Sequence, residues 1–150
     1  MLTLCLLTLP VLPWLPAPLE VAWGIAFLLG FAASVVNGML YKIVPFLAWF
    51  HLQANTPRGA RHVPNMKELL PEDRARQHGL LHGVAVVLLL LAGVTQALVE
   101  ERVLAPPTAQ ILTDITASSG GLFLAASAWL LAVNLWRVWQ RYRHHMAGVD

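Results

Sequence analysis

From Val21 to Tyr41 the chain carries no ionised side chain, and polarity returns only at Lys42 and His51, before the chain turns polar from Gln53 to Gln77. At about 1.5 Å rise per residue, a helix over such a run is long enough to cross a bilayer core of roughly 30 Å. The pattern recurs twice. Gly79 to Val99 is apolar and ends at Glu100, Glu101 and Arg102; a further apolar run from about Ile115 to Trp139 leads into Arg141, Arg143, His144 and His145. These runs predict three transmembrane helices, at about residues 20–51, 78–99 and 115–138. Met1 to Pro18 is also uncharged, but Pro10, Pro13, Pro16 and Pro18 interrupt it and the basic start of a signal peptide is missing. It reads as a partial span over about residues 2–15, the stub of a helix in what would be the C-terminal part of a longer protein or gene family. The expected fold class is all-α, an integral membrane helical bundle forming one domain.

Helical periodicity at about 100° per residue assigns faces to these spans. In the first full span Gly30, Ser34, Asn37, Gly38, Tyr41, Pro45 and Ala48 share a stripe of small or weakly polar residues, which lets helices approach closely and should face other helices. Pro45 removes one helical hydrogen bond and is expected to kink the last turns. In the next span His78, His82, Ala85, Leu89, Gly93 and Gln96 share one face, with Arg74 a turn earlier. In the last span Ser118, Gly121, Ala125, Ala128 and Ala132 form a small stripe expected to meet helices, and Leu122, Trp129, Val133 and Trp136 a bulky one expected to meet lipid. Pro71-Glu72-Asp73 looks like a helix start, Asn65 to Leu70 a short interfacial helix, and Thr113 or Asp114 a cap for the last span.

Composition agrees with a lipid environment: 57% of residues are hydrophobic and 12% charged, against roughly 25% charged in a soluble domain. The net charge of +2 comes from basic residues in one loop and one tail, so membrane topology explains it and a nucleic-acid partner is not implied. The positive-inside rule puts the basic loop at residues 53–77 and the tail at 140–150 in the cytoplasm, two spans apart and hence on one side. A multi-pass protein of a bacterial inner membrane follows. Trp49, Trp136, Trp139 and Tyr142 would mark the cytoplasmic interface, with Trp14 and Trp23 near the other. Lys42 has a plain explanation as a residue whose ammonium snorkels to the headgroups. The lone Cys5 excludes an intrachain disulfide.

Three histidines are the candidate chemistry. His51 ends one span and His78 and His82 open the next, so antiparallel neighbours would bring all three to one membrane face. Neutral imidazole binds haem iron, copper or zinc. A b-type haem needs one histidine from each of two facing helices, which His51 and His82 would supply, with Gly79 and Gly83 leaving room; Arg74 could receive a propionate. The plain alternative is that these are hydrated interface histidines. His144 and His145 read as tail residues. No phosphate-binding, zinc-protease, dithiol or hydrolase signature is present, and no acidic residue lies in mid-span.

The run Leu40-Tyr41-Lys42-Ile43-Val44-Pro45-Phe46-Leu47-Ala48-Trp49-Phe50-His51, followed by a Pro-containing basic loop and His78-Gly79-Leu80-Leu81-His82, resembles bacterial multi-span membrane proteins related to NnrS and to the haem-copper oxidase catalytic subunit. The resemblance covers roughly residues 30 to 95. It implies a helical bundle in which His51 and one of His78 or His82 bind haem or a metal, in respiratory or nitrogen-oxide metabolism. Two other readings stand beside it. One is a non-catalytic membrane subunit or assembly factor packing against a membrane-protein partner or a second copy; the other is a transporter fragment.

Overall fold

A computed structural model describes residues 19–55 and 65–146. The expected partial span at residues 2–15 and Cys5 lie outside the described residues, as do positions 56–64 of the basic loop and 147–150 of the tail. Helix accounts for 93% of the described residues, with no strand among them. Helix α1, Leu19–Ile25, passes through a π-helical stretch, Ala26–Ala33, into α2, Ser34–Asn55. Then come the short α3, Met66–Leu69, and the long α4, Glu72–Glu100, and α5, Pro106–Met146. Three continuous helices, Leu19–Asn55, Glu72–Glu100 and Pro107–Met146, are long and apolar enough to cross a membrane. The protein is an all-α helical bundle with membrane-spanning character.

Several local signals explain where these helices start and stop. Glu72 and Asp73 place carboxylates in the first turn of α4, where the helix dipole favours them. At its other end the Val103 N–H bonds the Leu98 carbonyl (2.9 Å) and the Arg102 N–H bonds that of Val99 (3.0 Å). This is a Schellman closure, with Arg102 at φ 59° in the left-handed position that glycine usually takes. Helix α5 begins earlier than the cap expected at Thr113 or Asp114. It starts at Pro106, the Ala109 N–H bonding the Ala105 carbonyl at 3.3 Å. The two prolines that look like a loop instead occupy the first turn, where a missing N–H has no helical partner to lose. Thr113 lies inside the helix and donates to the Ala109 carbonyl (2.9 Å). Pro45 sits within α2, which continues past it to Asn55.

The chain divides into two compact units, one formed by residues up to Ala32 with Gly83–Phe123, the other by Ala33–His82 with residues from Leu124 onward. In the first, small residues set the packing. A Cβ on Gly93 would come within 3.2 Å of the Ala22 Cα, and one on Gly120 within 2.9 Å of Leu89 Cγ and 3.2 Å of Leu88 Cβ, so backbones approach there as only glycine permits. Ala22, Ala85, Ala92, Ala97 and Ala109 are buried. Thr95 and Thr113 join their hydroxyls at 2.9 Å.

In the second unit α3 lies against α2, and Leu52, Leu69, Leu70 and Val138 are buried. The Glu68 carboxylate accepts from the Asn65 N–H at 3.1 Å and closes the start of α3. Arg141 of α5 closes its end by donating to the carbonyls of Glu68 and Leu69. Nearby, Trp136 and Trp139 rings lie 4.8 Å apart and the Arg143 guanidinium sits 4.8 Å over Trp139, an amphipathic group of the kind that suits a membrane interface.

Candidate functional site

The second unit concentrates polar side chains that a membrane protein has reason to avoid. His78 and His82, four residues apart on α4, project from one side with ring centroids 6.1 Å apart. They are only 3% and 6% exposed. Tyr41 of α2 lies against His78, centroid to centroid 5.2 Å. From α5, Asn134 donates its amide N–H to the Tyr41 hydroxyl at 3.1 Å and is 2% exposed. A buried imidazole and a buried carboxamide therefore each meet the half-buried phenol of Tyr41, the three side chains coming from three helices. Two of their atoms, His78 Nε2 and Asn134 Oδ1, have no hydrogen-bond partner among the described residues. Ser127, two turns before Asn134 along α5, is also buried.

His51 is placed differently. It is exposed, and its Nδ1 lies 2.9 Å from the Leu47 carbonyl. A carbonyl only accepts, so Nδ1 carries the proton and Nε2 of the neutral ring is left with its lone pair. His51 borders a hollow of about 240 Å³ with Leu47, Ala48 and Tyr142, and neither His78 nor His82 lines it. A larger hollow of about 470 Å³ is lined by Tyr41, Lys42, Ile43, Pro45, Phe46, Met66 and Leu70, again without a histidine. Arg74 is exposed on the first turns of α4.

Of the expected haem pair, His51 is exposed beside its own hollow and His82 is buried. His78 and His82 are buried neighbours on a single helix. Among the described residues no group of three or more His, Cys, Asp or Glu is placed to hold a metal ion, so the expected three-histidine copper or zinc site is not assembled.

The packing residues divide as well. Gly30 approaches Val86, where an added Cβ would stand 3.5 Å from Cγ1; Asn37 and Tyr41 are half-buried and Pro45 is buried. Ser34 and Gly38 are exposed, as are Ser118, Gly121, Ala125, Ala128 and Ala132. A Cβ on Gly38 or Gly121 would meet nothing within 4 Å. The buried line on α5 runs instead through Gly120, Ser127, Asn134 and Val138. Leu122 and Trp129 stand outward at 73% and 71% exposure.

The Thr95–Thr113 pair and the meeting of Asn134 with Tyr41 are the polar contacts that residue patterns did not pair. Asn134 is a polar residue inside an apolar run and Tyr41 stands on the weakly polar stripe of its span, so each is visible in the sequence while their pairing is not. Comparison of the chain with family models, curated proteins and solved structures gave no match.

Proposed function

We propose that this chain is a multi-pass inner-membrane subunit that works by packing against a membrane-protein partner or further copies of itself, with residues 53–77 and the C-terminus cytoplasmic. One observation carries the reading. Gly38 and Gly121 stand on outward faces, among Ser34, Ser118 and Ala125, where a Cβ would meet nothing of the chain itself. Against lipid tails a glycine in a helix has only its propensity cost of about 1 kcal/mol. Against another helix it allows the close approach on which membrane association depends. Little of the apolar surface is used internally: the buried share of the three spans' most apolar windows is 6%, 33% and 11%.

The test is native electrophoresis of the full chain extracted from bacterial membranes in mild detergent. Wild type should migrate in a larger assembly that Gly38→Leu and Gly121→Leu dissolve, while the folding of the chain is unaffected because both sites are open. A monomeric wild type, or an assembly indifferent to both changes, would overturn the proposal.

A second reading is favoured by His51. Its Nδ1–H is held by the Leu47 carbonyl and its Nε2 lone pair is available, the form in which imidazole ligates iron. A b-type haem ligated by His51 and one of His78 or His82, in respiratory or nitrogen-oxide metabolism, is what the resemblance to the NnrS and haem-copper oxidase relatives implies. It predicts a reduced-minus-oxidised α-band in haem-replete membranes that His51→Ala abolishes. No band in wild type ends this reading without touching the first.

A further inference from the structure

The cluster of Tyr41 with the buried His78 and Asn134 has its own chemistry, independent of the packing faces. We propose that it is an internal hydration site, in which a short water bridge joins His78 Nε2 to Asn134 Oδ1 beside the Tyr41 hydroxyl. Each residue contributes a specific requirement. Asn134 spends an amide N–H on Tyr41 at 3.1 Å, so its oxygen can only accept and needs a donor. His78 Nε2, the second orphan, takes a water in either tautomer, as donor or as acceptor. Both residues are more than nine-tenths buried, and buried polar atoms are hydrogen-bonded in the great majority of cases, to protein or to ordered water.

The same inventory excludes other occupants. An anion finds no cation in the cluster, and the acceptor oxygen of Asn134 repels it. A divalent ion would need further ligands, and no metal-holding group exists among the described residues. Water both donates and accepts, and needs only about 30 Å³ per molecule. Tyr41 also borders the hollow of about 470 Å³ lined by Lys42, Pro45 and Met66, which gives water an approach to the phenol.

The experiment is water-edited solid-state NMR on the full chain, labelled with 15N-histidine, in phospholipid bilayers. The His78 ring signals are assigned by their loss in His78→Gln. Magnetisation should pass from water to the His78 ring about as fast as to the exposed His144 and His145, although His78 is buried. Asn134→Leu should slow that transfer several-fold, and Asn134→Asp, which keeps the acceptor, should preserve it. Slow transfer in the wild type, or fast transfer that Asn134→Leu leaves unchanged, would overturn the proposal. Asn134→Asp also separates loss of water from loss of fold: slow transfer in the leucine variant counts only if the aspartate variant and wild type both remain fast, and slow transfer in the aspartate variant as well would also count against the bridge.

Discussion

Gly120 and Gly121 are adjacent on α5 and face opposite demands. An added methyl at Gly120 would press on Leu88 Cβ, which is fixed to backbone and cannot swing away. Gly120→Ala should therefore destabilise the chain by about 1–3 kcal/mol through overpacking. At Gly121 the same methyl meets open space, and Gly121→Ala should be neutral or stabilising by up to about 1 kcal/mol through helix propensity. Thermal unfolding of the two variants in detergent measures the contrast directly. The polar contacts make a similar pair of expectations. Tyr41→Phe strands the Asn134 amide in the interior and should cost about 1–3 kcal/mol, while adding Asn134→Leu to it should recover part of that loss, because a donor and its acceptor removed together leave neither member of that pair unsatisfied. These distinctions were beyond the sequence alone. Helical spacing identifies small residues, yet a shift of one position, about 100° around the helix, decides whether a glycine meets Leu88 or open space.

The elements were more legible than the residues. Long uncharged runs fix three helices because length and hydropathy leave few alternatives, and acids beside Pro71 mark the start of α4. Their ends were harder to read. Pro106 and Pro107 carry the signature of a loop as well as that of a first helical turn, and only the Ala105 carbonyl, which accepts from Ala109, shows which applies. Across Ala26–Ala33 the bonding widens to a π-helix, so a wheel drawn at about 100° per residue loses register there. Two terminations lend themselves to test. Arg102 holds a left-handed φ of 59°, and Arg102→Gly should stabilise the α4 terminus by about 1 kcal/mol, seen as slower amide exchange at Val103. Arg141 reads from sequence as a topology charge, but it binds the last carbonyls of α3; Arg141→Ala should speed exchange at Leu70, whose N–H bonds Met66, without changing the α4 amides.

At the scale of the whole molecule, the helices bury little of one another and keep large apolar residues outward, among them Phe31, Met39, Val87, Ile115 and Trp129. That surface is legible in composition, since 57% hydrophobic residues in a 150-residue chain exceed what its own interior can take. The candidate site was legible in part. His78 and His82 stand out by spacing, whereas the exposed setting of His51 does not, because which way a histidine points from a helix end depends on packing that no single span encodes. A C-terminal green fluorescent protein fusion should be fluorescent and a C-terminal alkaline phosphatase fusion inactive, as the proposed cytoplasmic tail requires; the reverse result would invert the proposed topology.

The Asn134–Tyr41 hydrogen bond carries a consequence for how the chain is made. Tyr41 and His78 leave the ribosome long before Asn134, so their spans enter the bilayer with polar groups that only α5 can complete. Until α5 arrives, the half-built hairpin presents a phenol and an imidazole to lipid, a state that membrane quality control can recognise. A chain ended before Asn134 should thus be cleared faster than its remaining hydropathy suggests.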